Sequence, residues 1–206
     1  MKKLFLSFSI FLIFLFILFI VILSTSGIET NKFNKLISEN VSQTKNINLK
    51  LDTVKFKINL KELSLFLETN NPKISYKNIS VPVKNIKIYI DFLSLLKSDP
   101  VIKKTNIVLE ELDVSELNKL TKIIKPSNFK SLINNKIKKG KLISEVELYL
   151  NNEGNLKDFI AKGEIINLKA ELLSDLNISK TSLSFFADKN DILIKKISGE
   201  LEDIKI

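Results

Sequence analysis

Asn46–Leu67 reads NINLKLDTVKFKINLKELSLFL. Ile47, Leu49 and Leu51 alternate with polar residues, and after a one-residue slip at Asp52-Thr53 so do Val54, Phe56, Ile58 and Leu60. A period of two predicts strands with one oily and one solvated face, as in antiparallel sheets. The slip would turn every later side chain to the other face of an unbroken strand, so it predicts a bulge or turn. Leu63, Leu65 and Leu67 carry the pattern to Asn70-Asn71-Pro72, and Ile86, Ile88 and Ile90 repeat it. Between them Ile74–Tyr76 and Ile79–Val83 read as short strands, with Pro82 placing the second on an edge.

Upstream, Leu4–Leu23 holds twenty residues without charge or proline. At about 1.5 Å per residue a helix of that length covers the roughly 30 Å hydrocarbon core of a bilayer. Lys2 and Lys3 precede it and the next positive charge is Lys32. This asymmetry predicts a single-pass anchor with its N-terminus in the cytoplasm and the bulk of the chain across the membrane. A cleaved signal peptide is the alternative, but its apolar core runs only about 7–15 residues. The predicted organisation is a cytoplasmic tip and anchor over residues 1–27 and a β-rich domain over 28–206. Ile28–Lys45 reads as a helix leaving the membrane, with Phe33, Leu36, Ile37 and Val41 on one stripe.

Downstream, Asp91 caps a predicted helical turn over Phe92–Lys97, and Val101–Leu112 returns to strand with Ile107 and Leu109 inward and Val108 opposite. A helical pair follows near 115–139. Its first helix opens at Ser115-Glu116 and stops at Pro126, and its second is capped by Ser127 and ends at Gly140. Leu142, Val146, Leu148 and Leu150 then share one parity, and Asn151–Asn155 makes a hairpin turn. Gly163–Lys169, GEIINLK, matches Gly199–Lys205, GELEDIK, 36 residues later, a spacing that suits stacked supersecondary units. The sequence stops at Ile206 inside a strand pattern, which predicts an open edge met by a partner or by further chain.

Composition removes whole classes of function. The chain has no cysteine and no histidine, so disulfides, the commonest metal ligand and the usual base for a Ser or Cys nucleophile are absent. All 32 basic residues are lysine and the net charge is +9. Base readout leans on arginine, so the charge suits anionic lipid headgroups better than nucleic acid. No phosphate loop, dinucleotide fingerprint or nucleophile elbow occurs. Glu110, Glu111 and Asp113 read as a solvated loop rather than a metal or acid–base site. Lys136, Lys138, Lys139 and Lys141 read as complements to a helix C-terminus, with a phosphate or lipid headgroup site as the alternative. We expect no enzyme, no cofactor and no metal. The apolar face is either a closed core or a groove for acyl chains, and alternation alone serves both. If it is a groove, the lipid-facing residues are Phe56, Ile58, Leu60, Ile86, Ile88, Ile90, Val146 and Leu148.

The run Pro72–Leu117, with the turn Leu95-Leu96-Lys97-Ser98-Asp99-Pro100-Val101-Ile102, resembles the N-terminal region of the AsmA-like family of envelope proteins (AsmA, TamB and YhdP type). The glycine-centred strands at 163 and 199 are similar to that family's repeated β units. The resemblance implies a mainly β fold: a transmembrane helix, then a curved, groove-like antiparallel sheet with helical insertions. It further implies an inner-membrane-anchored periplasmic protein that moves phospholipid toward the outer membrane or supports outer-membrane biogenesis. Membrane phospholipids, and envelope proteins meeting the open edge, are the implied partners. Two alternatives remain open: a structural subunit of a secretion or envelope complex, and a small anchored β-domain bridging lipopolysaccharide transport.

Overall fold

The computed structural model describes residues 2–31, 34, 38, 47–62, 64–91, 94, 101–122, 128–173, 176–202 and 204–205. Helix α1, Lys2–Thr25, is apolar on every side, and its Lys3–Thr25 stretch is long and apolar enough to cross a membrane. No face of it is suited to a protein core, because nearly all its large side chains are exposed. Ser24 Oγ and Thr25 Oγ1 donate back to the Val21 carbonyl, and Gly27 N–H donates to that of Ile22.

Gly27 has φ +73, and a Cβ there would stand 2.7 Å from Lys57 Cγ and 2.8 Å from the Phe56 carbonyl oxygen. Only glycine permits both the left-handed turn and the close approach, so the helix feeds directly into the sheet. The chain then forms β1, Ile28–Thr30, with Ile28 opposite Phe56. The helix expected from Ile28 therefore does not begin there: β1 covers the edge of the next strand and satisfies its backbone. Phe33, Leu36, Ile37 and Val41 lie outside the described residues.

The remaining strands are β2 Ile47–Lys50, β3 Val54–Asn59, β4 Ser64–Asn70, β5 Lys73–Tyr76, β6 Ile79–Ile90, β7 Ile102–Leu109, β8 Leu112–Asp113, β9 Ile137–Leu150, β10 Leu156–Leu173, β11 Leu176–Asp188, β12 Ile192–Leu201 and β13 Ile204–Lys205. Together they make one open antiparallel sheet in the order β1-β3-β4-β6-β7-β9-β10-β11-β12-β13. Off that path, β2 pairs with β5, β5 also with β6, and β8 with β9. The slip at Asp52-Thr53 is the change of neighbour from β5 to β1 and β4.

The expected short strand Ile79–Val83 and the Ile86–Ile90 alternation are one strand here: β6 runs unbroken through Ile79–Ile90. Its apolar parity changes from Val81 and Val83 to Ile86, Ile88 and Ile90 because the register with β7 shifts between Val83 and Asn85. The extra residue returns both sets to one face. Nor is β6 an edge strand, since β4 and β5 flank one side and β7 the other. Pro82 sits one residue beyond the β7 register, where its carbonyl accepts from Glu110 N–H. Its missing donor is spared there.

At Asp91, a side-chain oxygen accepts from Ser94 N–H at 2.9 Å, as a cap should; Phe92, Leu95 and Leu96 lie outside the described residues. The helical pair is present as α2, Val114–Thr121, and α3, Asn128–Lys136. Asp113 and Glu116 form a reciprocal capping box at the start of α2. Thr121 Oγ1, buried at the end of α2, donates to Asn134 Oδ1 of α3 at 2.8 Å. Strand β9 starts at Ile137, immediately after α3, so Gly140 is within the strand and does not end the helix. Pro126 and Ser127 lie outside the described residues. Asn151–Asn155 is a hairpin turn, with Gly154 at φ +81 donating to the Asn151 carbonyl.

The first repeat sits within β10, whereas the second begins at the end of β12 and runs into the antiparallel β13; β10 and β12 run in the same direction on either side of β11. Both glycines are forced by crowding. A Cβ on Gly163 would lie 2.1 Å from the Ile143 carbonyl oxygen, and one on Gly199 would lie 2.3 Å from Thr181 Oγ1. Asn167 in β10, Lys180 in β11 and Lys196 in β12 all have positive φ beside register shifts. This row of bulges bends and twists the C-terminal strands.

Candidate functional site

Cross-strand register gathers seven of the eight expected face residues. One row runs Ile28, Phe56, Leu67, Ile88, Thr105, Leu148, Phe159 across seven strands. Beside it runs Thr69, Ile86, Ile107, Val146, Ala161, Ala187, Ile192. Ile58, Leu65 and Ile90 make a shorter third row. Leu60 is the exception. It lies in the β3–β4 turn, 51 % exposed, because β3 ends at Asn59. Phe159, Ile165, Phe185, Ile192 and Ile194 extend the same face through β10–β12 and were not singled out from sequence. Their alternation is visible, but the bulges at Asn167, Lys180 and Lys196 break its phase.

The opposite face is a ladder of charge. Glu68 accepts from Lys57 at 2.6 Å and lies 3.6 Å from Lys87. Glu145 accepts from Asn106 at 2.5 Å and pairs with Lys162 at 3.2 Å. Glu147 accepts from Tyr149 OH at 2.6 Å and faces Lys104 and Lys162. Lys104 also stands 4.5 Å over the Tyr89 ring, itself stacked on Phe66. The Asn106 hydrogen bond and Lys162 hold Glu145 below the usual carboxylate range. Burial opposes ionisation of Glu68, yet the Lys57 contact and the Lys87 charge lower its pKa overall. Hydrogen bonding to Glu147 pushes Tyr149 up to about 12. Six strands are thus tied together on the wet side, and the two seven-strand rows of the oily side contain no charged residue.

Cover over the oily face is uneven. Leu49, Val54, Val83 and Ile86 are buried near β2, and Leu112, Ile133, Leu168 and Ala170 are buried under the helical pair. Under that pair lies a cavity of about 300 Å³. Its walls are Val114 and Leu117 of α2, Ile133 of α3 and Ile137 of β9, and its floor is Leu142, Ile165, Leu168, Ala170 and Ile178. By contrast Ile192, Ile194 and Ile197 of β12 are exposed.

The two charged clusters noted in the sequence have mostly local partners. Asp113 accepts from Glu116 N–H and Ser115 Oγ, which lower its pKa, and Glu111 pairs with Lys141 at 2.6 Å. Lys138 donates to the Asn135 carbonyl at the end of α3, and Lys136 pairs with Glu171 at 2.9 Å. Lys139 has no such partner among the described residues.

Compared with protein families, with curated proteins and with solved structures, the chain matches none.

Proposed function

We propose that this protein is a membrane-anchored, non-catalytic lipid-handling module whose apolar sheet face carries acyl chains. One observation carries the reading: two side-by-side rows, apolar but for Thr69 and Thr105, cross seven strands each, on a sheet that does not close. Acyl contacts along such a face are individually weak and non-specific, which suits sliding rather than tight binding. Gly27 joins α1 to β1 and packs against β3, so the face begins at the membrane end of the chain. Within this reading the anchor lies in the inner membrane with a cytoplasmic N-terminus, and the sheet conducts phospholipid in the periplasm toward the outer membrane.

The test uses a photo-crosslinking amino acid placed in the full chain in a membrane-bearing host. At Leu148 or Phe159 it should capture phospholipid, and at Glu164 on the opposite face it should not. Equal capture on both faces, or none on either, overturns the reading. A second reading is favoured by β12. Along Ile192–Ser198 its one strand partner among the described residues is β11, since β13 reaches Glu200 and Leu201. A probe at Ile197 that captures protein rather than lipid would make this edge an assembly surface, by strand addition.

A further inference from the structure

The cavity under the helical pair differs from the rest of the face in having walls, a floor and a charged exit. Leu117, Ile133, Leu142, Ile165, Leu168 and Ile178 line it with hydrocarbon. Val114, Gly140, Lys141 and the Lys136–Glu171 ion pair line it too, and the first three also line a second hollow of about 310 Å³ with Asp113, Ser115, Lys138, Lys139 and Asn167. The two spaces share Gly140 as a common wall, where β9 passes beyond its last pair with β8, Asp113↔Lys141. One is oily and the other is basic.

In the second hollow Asp113 is the one acid and Lys141 is paired with Glu111, which leaves Lys138 and Lys139 without an ion-pair partner among the described residues. Lys139 stands directly opposite Lys169 in the β9–β10 register. Like charges directly opposite one another destabilise a sheet, and neither lysine has an ion-pair partner among the described residues. An anion beside Lys139 would relieve that repulsion. The volume is informative as well. At about 300 Å³ the cavity lies at the small end of ligand pockets, a size for one chain.

The geometry points to a discrete site for a single-chain anionic amphiphile, its tail in the cavity and its carboxylate or phosphate at Lys138 and Lys139. This shares with the proposed function the premise that the face meets acyl chains, but it concerns a separate place and a defined ligand class. Substitutions at the site leave the Leu148–Phe159 rows intact.

The full chain in phosphatidylcholine nanodiscs is labelled with a diazirine-bearing palmitate and the crosslinks are mapped by peptide mass spectrometry. Label should fall on α2, α3 and the 165–178 segment. Oleate and lysophosphatidate should compete and hexadecanol should not; the stronger of the two anions identifies the headgroup. Lys138→Gln with Lys139→Gln should weaken labelling about tenfold, because each lysine adds an attraction of ordinary surface size. Ala170→Leu should reduce it to background by filling the floor, and if that variant unfolds the exposed lysine pair still decides. Label confined to residues 2–25 overturns the site, as does equal competition by hexadecanol or indifference to the lysine variant. Label along β3–β9 with the helical end blank also overturns it, while leaving the proposed function standing.

Discussion

The same apolar face is covered at one end of the sheet and bare at the other. Under α2 and α3, Leu112 is 1 % exposed and Leu168 is 8 % exposed. On β12, Ile192 is 73 % exposed and Ile197 is 57 % exposed. Their sequence surroundings are alike, with isoleucine and leucine set among lysine and glutamate. What differs is the layer above. A residue's burial is thus a property of its neighbours in space and not of its strand pattern.

The sharpest way to break that contrast is at its covered end. Leu112→Ala removes a fully buried side chain and should cost about 2–5 kcal/mol in urea unfolding of the sheet domain. A loss as small as a surface change would mean the helical pair does not cover β8 and β9.

Gly163→Ala comes next, because its Cβ would meet the Ile143 carbonyl oxygen at 2.1 Å. Overpacking of this kind costs about 1–3 kcal/mol. Gly154→Ala, with open space around it, should cost less, from its positive φ alone.

Acid should act on the wet face that both ends share. Glu68 and Glu145 have folded pKa values below their usual range, so the stability they supply is present above the unfolded value, near pH 4.5. It is lost as pH falls through the lower folded values. The urea midpoint should drop on acidification below about pH 5, and Glu145→Gln should flatten that dependence. Tyr149 works in the other direction. Its neutral form is favoured when folded, so its contribution persists below pH 10 and fades as pH rises toward 12.

Smallest of all is Ile194→Ser on the bare end, expected within about 0.5 kcal/mol of the parent. A loss near that of Leu112→Ala would show that β12 is covered in solution, and would favour the assembly reading of its edge.

Much of the fold was legible because period-two alternation is a local signal. Phe56 and Ile58, Ile86–Ile90, and Val146–Leu148 were each assigned to one face by their own strand, and the register brings those strands together. The membrane-length helix was equally local, since twenty uncharged residues need no partner to be read. Errors arose where a neighbour decides. Ile28–Thr30 pairs with β3 instead of opening a helix, Gly140 continues a strand, and Leu60 falls in a turn. The candidate cavity gave no signal at all, because Leu117, Ile133, Leu142, Leu168 and Ile178 come from five separate elements.

Sequence by itself determined the membrane-length helix, the strands, their oily side and the absence of cysteine and histidine chemistry. Only tertiary structure decided that β6 takes β4, β5 and β7 as neighbours, and that the helical pair lands over β9 and β10 and leaves β12 bare. The physical reason is range. Alternation is fixed by side chains pointing to opposite faces of one strand, whereas pairing and cover join residues that the chain holds far apart.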